Sequence, residues 1–295
     1  MVRPPRFEPG SSAWQADETR VIDWQKIRED FKLYIGSENL NARYVSCILS
    51  YLDRFITIIQ GPNDILRVFQ GLTSGQKHNL NRGLRNLFNF LEKQGFDNDY
   101  LNILRKNIPK DEIGFDVNIP SEEDIIRSLQ AMARGDIRYR LAYEVALDSG
   151  LRLIEACNLI NNYHQIKTEP YADFAVMPLG LFRHTKVAYF GFITTYTQDL
   201  LARFSGTVDW ALATNYVRKR EDVVAYKYLR KFANDTMTSE ALNIPESTAD
   251  FIQGRTPKSI AAKHYMQLKR KAIQFYPRYA EYIRQLRRKA GLTPA

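Results

Sequence analysis

Apolar residues recur at helical spacing over most of this chain. Ile22, Trp24, Ile27, Phe31 and Tyr34 form one such stripe, followed by Ile48, Leu52 and Phe55. A third carries Leu84, Leu87, Phe88, Phe90 and Leu91, with Ser74 suited to cap its start and Gly95 to stop it. Together they predict a small helical core over residues 19–108. Lys77, Arg82 and Arg85 lie between its apolar positions and suit either solvent or a DNA backbone. Residues 108–120 (IPKDEIGFDVNIP) lose the periodicity to two prolines and a glycine, which predicts a linker over 109–120. Ser121 then opens a second helical region, with Asp124 in capping-box position. A helix over 137–149 ends at Gly150, and another opens at Leu151. β-rich runs at 174–179 and 187–194 flank the turn-like FRHTK stretch and predict a hairpin. The remainder reads as helices broken near 205–206, 243–245, 254–257 and Pro277. No internal repeat is apparent, and the expected class is mainly α with one small sheet in the second region, 121–295.

Composition narrows the picture. With 295 residues, 44% hydrophobic and 25% charged, the chain has apolar material for two domains and is neither collagen-like nor wholly disordered. No apolar run of about 18 residues predicts a membrane span, and no secretory signal is expected. Cys47 and Cys157 make neither a disulfide framework nor a zinc site, so a reducing cytoplasm is the expected compartment. Residues 1–18 are rich in Pro, Arg, Gly and Ser and read as a flexible tail. Charge is uneven: of the net +9, residues 255–295 hold eleven Lys and Arg against Glu281 alone, which is +10 and leaves −1 for the rest. Such a block suits a polyanion, nucleic acid or anionic membrane, or else a solvated basic helix.

Four pieces in chain order carry the candidate chemistry. Ser149-Gly150-Leu151-Arg152-Leu153-Ile154-Glu155 places an arginine just after a glycine break. Arg183-His184-Thr185-Lys186 forms the predicted hairpin tip. Lys227-Tyr228-Leu229-Arg230 sets a lysine and an arginine on one helical face. Gly254-Arg255-Thr256-Pro257-Lys258 runs on to Lys263-His264-Tyr265. Each piece is common alone; their order within one region is not.

As a set these motifs resemble those of the tyrosine recombinases, the phage-type integrases. The resemblance implies an N-terminal helical core-binding domain followed by a catalytic domain, mostly α with a small antiparallel sheet. It assigns Arg152 and Arg230 as the paired catalytic arginines, Glu155 as the acidic residue following the first, Lys186 as the hairpin lysine and Tyr265 as the nucleophile. Two positions depart from the commoner pattern. Lys227 stands where most members have histidine, and Arg255 where they have histidine or tryptophan. The glycine-to-tyrosine spacing is also one residue longer than usual. The Lys-x-x-Arg variant is similar to that of archaeal virus and plasmid integrases of the fusellovirus type.

Chemistry explains these residue types. Transfer of a phosphodiester to a phenol builds negative charge on the phosphoryl oxygens, which two arginines can grip with paired, permanent donors. Lys186 is expected to protonate the departing 5′ oxygen. Lys227 serves proton transfer if burial and Arg230 lower its pKa, and otherwise adds a phosphate donor; Arg255 adds another. Neither cofactor nor metal is expected. Tyr276 and Tyr279 are the reserve nucleophiles, and His184 and His264 read as surface histidines. The expected partner is double-stranded DNA bearing attachment sites, clamped by both domains, with a tetramer on DNA and a monomer or weak oligomer without it. The basic helices after Tyr265 are expected to pack on a neighbouring protomer. A host-cell, nucleoid-associated location follows. The competing readings are a type IB topoisomerase-like relaxing enzyme and a non-catalytic DNA-binding module. Finally, Arg6-Phe7-Glu8-Pro9-Gly10 back-translates to a TTCGA-type run like that of a tRNA gene's T-arm, which suggests a translated attachment site.

Overall fold

The computed structural model describes residues 20–111, 114, 116–183, 186–255 and 262–292, without the side chains of 181–187 and 262–266. The chain divides into two compact units, Met1–Phe115 and Asp116–Ala295.

The first unit contains α1 (Trp24–Ser37), α2 (Ala42–Phe55), α3 (Pro62–Val68), α4 (Ser74–Lys93) and α5 (Asn98–Lys106). Its apolar stripes converge as their spacing requires: Trp24, Phe31, Leu52, Leu84, Leu87 and Phe88 are all fully buried. Gly83 of α4 meets Leu52 of α2, where an added Cβ would lie 3.3 Å from the leucine side chain. The cap of α4 is Thr73 rather than Ser74, because Gln76 stands three residues beyond the threonine and closes a capping box with it. A two-residue antiparallel pair, β1 (Ile22–Asp23) with β2 (Ile58–Ile59), was not anticipated by a purely helical reading.

The second unit contains α6 (Glu122–Ala133), α7 (Ile137–Ser149) and α8 (Leu153–Asn162). An antiparallel sheet follows, β3 (Glu169–Pro170), β4 (Phe174–Arg183) and β5 (Lys186–Thr194) in that order. Then come α9 (Thr195–Ala202), α10 (Trp210–Arg218), α11 (Tyr226–Thr238), α12 (Glu246–Ile252) and α13 (Ala262–Lys289). Ser121 and Asp124 form the expected capping box on α6. The hairpin is present, with Arg183 paired to Lys186 across its tip and an irregularity between Pro178 and Leu181, where Pro178 is tolerated. Helix α7 is the centre of the unit. Every residue from Leu141 to Ser149 is buried, so this stretch has no solvent face, and its two carboxylates, Glu144 and Asp148, require internal partners. Among the described residues no helix is long and apolar enough to cross a membrane.

One expectation about the C-terminal region is corrected. Helix α13 runs unbroken through Pro277, because Tyr276, Tyr279, Ala280, Ile283 and Leu286 bury one continuous face on both sides of the proline. That burial outweighs the roughly 3 kcal/mol a helix loses to an internal proline. That face packs against the unit's own α6, α7, α12 and β5. Of the nine basic residues of 255–295 whose side chains are described, six, Arg255, Lys269, Arg284, Arg287, Arg288 and Lys289, make ion pairs within the unit.

Candidate active site

Arg152 is positioned by how α7 ends and α8 begins. Gly150 caps α7 in the left-handed region at φ +61°, a conformation that favours glycine, and the chain reverses at once into α8. Helix α8 therefore opens two residues later than expected, with Arg152 itself as its N-cap. Buried Glu155 accepts from the Arg152 backbone N–H at 2.9 Å and pairs with its Nη1 at 2.8 Å. One carboxylate thus satisfies the helix end and aims the guanidinium.

Arg230 comes from α11, where it lies one turn beyond Lys227. Its Nη1 donates to the carbonyls of Gly150 at 2.8 Å and Gln253 at 2.7 Å. Its Nη2 is buried and has no hydrogen-bond partner. Burial first, then the neighbouring charges of Arg152 and Arg255, pull the pKa of this guanidinium down to about 9. Three arginines from three chain segments are therefore electrostatically coupled. Arg255 is held by Asp250, which pairs with its Nη1 at 2.9 Å and accepts its backbone N–H at 2.7 Å. Glu155 and Asp250 oppose this lowering without overcoming it, and the hydrogen bonds of Arg230 go to neutral carbonyls.

Arg152, Lys227, Arg230 and Arg218 line one cleft of about 510 Å³, floored by Leu151, Leu153, Val217 and Tyr226. Lys227 is mostly exposed. Hydrogen bonding to Tyr228 and then to Asp116 raises its pKa, and Nζ lies 3.2 Å from Asp116 Oδ2. The condition for Lys227 to act in proton transfer, a pKa lowered by burial, is not met.

Lys186 begins β5, and Tyr265 falls in the first turn of α13. The side chains of both, and of His264, lie outside the described residues, as do His184 and the 1–18 tail. The reserve nucleophiles are corrected. Tyr276 donates to the carbonyls of Asp148 and Phe192 at 3.1 and 3.3 Å, and Tyr279 to that of Leu147 at 2.8 Å. Both are fully enclosed, and burial raises their pKa well above the ordinary value. They tie α13 to the end of α7, just before the Arg152 turn, and serve as structure.

Sequence reasoning missed Gln253, Asp250 and Arg218 at this site. Gln253 directly precedes the Gly254-Arg255 pair, which was its one available signal. Among the described residues no group of three or more His, Cys, Asp or Glu is placed to hold a metal ion.

Comparison with known structures follows this geometry. The fold is that of an integrase core-binding domain joined to a catalytic domain. A lambda integrase (75–356) dimer bound to a COC′ core site is similar at a TM-score of 0.58 and 11% identity, over 81% of this chain and 97% of that one. A lambda integrase tetramer bound to a Holliday junction gives a TM-score of 0.60 at 10% identity, over 86% and 84% of the two chains. No curated protein matches in sequence. The family model described as archaeal phage integrase matches residues 117–282, more than half of the chain. The chain belongs to that family, within the tyrosine recombinases.

Proposed function

We propose that the protein is a site-specific DNA recombinase that cleaves and rejoins duplex DNA through a 3′-phosphotyrosyl intermediate on Tyr265. The observation that carries this reading is the half-buried Arg230 guanidinium, whose enclosed Nη2 has no partner and which stands beside Arg152 and Arg255 with no carboxylate hydrogen-bonded to it. A scissile phosphate supplies the missing charge. Arg152 and Arg230 grip its non-bridging oxygens, with Arg255 and Lys227 as further donors. The Tyr265 phenol gives up its proton to water as it attacks phosphorus, forming the O–P bond as the bond to the 5′ oxygen breaks, and Lys186 gives that oxygen a proton. The reverse attack by a 5′ hydroxyl restores the backbone and releases the tyrosine.

The first unit serves as the core-binding domain and the segment 109–120 as the linker, with phosphate contacts dominating affinity. Solved lambda integrases bound to DNA are a dimer and a tetramer, and a tetramer on paired attachment sites is proposed here. The target is a tRNA gene, on the strength of the Arg6–Gly10 codons. A nucleotide sequence whose first dozen codons align with no tRNA gene's 3′ half would remove that part.

A duplex nicked near the cleavage point tests the reaction. The wild-type chain is expected to form a covalent protein–DNA adduct and Tyr265→Phe none. An adduct that survives in Tyr265→Phe, or no adduct from any duplex, would overturn the reading.

A further inference from the structure

We infer that Gln253 is a positioning residue for the strand-cleavage reaction, locking Arg230 to the turn that carries Arg152. The inference rests on the recombinase reading above. Gln253 is the last residue before Gly254 and is completely buried, although it is polar. Its side-chain Nε2 donates to the backbone carbonyl of Arg230 at 3.0 Å. Its own backbone carbonyl accepts from Arg230 Nη1 at 2.7 Å, so one residue holds both the root and the tip of that arginine.

The third contact is with the Arg152 turn. Gly150 packs so closely on Gln253 that an added Cβ would lie 2.7 Å from the glutamine Cγ and 2.8 Å from Nε2. The carbonyl of Gly150 is the second acceptor for Arg230 Nη1. Gln253 therefore fixes three things against one another: α11 through Arg230, the α7–α8 junction two residues before Arg152, and the end of α12 two residues before Arg255. With Nη1 committed to two carbonyls, Nη2 is the amino group of Arg230 left without a protein partner.

A purely space-filling role suits an apolar side chain better. The amide leaves Oε1 buried with no partner, which costs the fold its desolvation. What the amide gives in return is the bond to the Arg230 backbone. Misplacement of a charged group by about 1 Å is enough to slow a reaction about 10²-fold.

The test uses the full chain and a suicide duplex, reading the single-turnover rate of adduct formation alongside the Kd for the same DNA. Gln253→Met keeps the shape and removes the amide. It is expected to slow cleavage about 10²-fold while leaving Kd within about threefold, as for an interaction realised in the transition state. In combination with Arg230→Ala it is expected to cost nothing further, because the residue acts through that arginine. A Met variant that cleaves at the wild-type rate overturns the inference, and so does a double variant whose losses simply multiply. Thermal unfolding checks that the variant is folded; if it is not, the near-isosteric Gln253→Glu takes its place in the same cycle, with the same two outcomes decisive. Loss of adduct in the wild-type chain itself would instead count against the recombinase reading.

Discussion

Two arginines of the second unit, one enclosed and one half-buried, differ in what surrounds them. Arg287 of α13 is enclosed, yet its Nη2 lies 2.8 Å from Glu144 Oε2 and 2.6 Å from Asp148 Oδ1. Its Nη1 donates to Thr194 Oγ1 at 2.8 Å, and Thr194 in turn donates its backbone N–H to Asp148. Those carboxylates hold the guanidinium's proton more tightly than in water, despite the opposing effect of burial. Arg230 is half-buried and hydrogen-bonds neutral carbonyls; desolvation and two cationic neighbours outweigh Glu155 and Asp250, and its pKa falls. A compensated charge is a fastener within the fold. An uncompensated one, held in place at the edge of a cleft, is shaped for an anion that arrives from outside.

The sharpest way to break this contrast is to remove each arginine. Arg287→Met strands two buried carboxylates and is expected to destabilise the unit by about 3–5 kcal/mol, read by chemical denaturation. Adding Glu144→Gln and Asp148→Asn should recover part of that loss. Arg230→Ala is expected to lower the single-turnover cleavage rate about 10²–10³-fold. Its stability should change by no more than about 1–2 kcal/mol, since only two hydrogen bonds to carbonyls are given up and a desolvated charge goes with them. The smallest effect is ligand-linked. Inorganic phosphate at about 100 times its Kd should stabilise the wild-type chain by about 2.7 kcal/mol, seen as a rise in Tm, and should do so far less in Arg230→Ala. If phosphate stabilises both proteins equally, the cleft is not where it binds.

Much of the second unit was legible in the sequence because its signals are local. The Ser121–Asp124 box, the helix closed by Gly150, and the hairpin around Arg183 and Lys186 all depend on residues within a few positions. Capping at Thr73 instead of Ser74 turned on Gln76, and two adjacent residues were equally able to cap. The pairing of the basic C-terminal block was hidden for a largely non-local reason. Glu122, Glu144, Asp148, Glu169 and Asp173, which pair with four of its residues, lie a hundred or more positions away in the chain and meet it only after folding, whereas Asp250 and Glu281, which hold Arg255 and Arg288, are local. Pro277 misled because tertiary burial overrode helix propensity. At the site, Arg152 and Arg230 were visible as motif residues. Gln253 was not, because an amide next to a glycine looks ordinary until its partners, Gly150 and Arg230, are brought to it.

In the proposed reaction Arg152, Arg230 and Arg255 act together on the charge of one phosphate. A suicide duplex whose scissile phosphate is replaced by a neutral methylphosphonate, cleaved by wild type and by Arg230→Ala, tests this. The deficit of about 10²–10³-fold on phosphate is expected to shrink nearly to nothing on methylphosphonate, because no charge remains to be neutralised. A deficit of the same size on both substrates would contradict it.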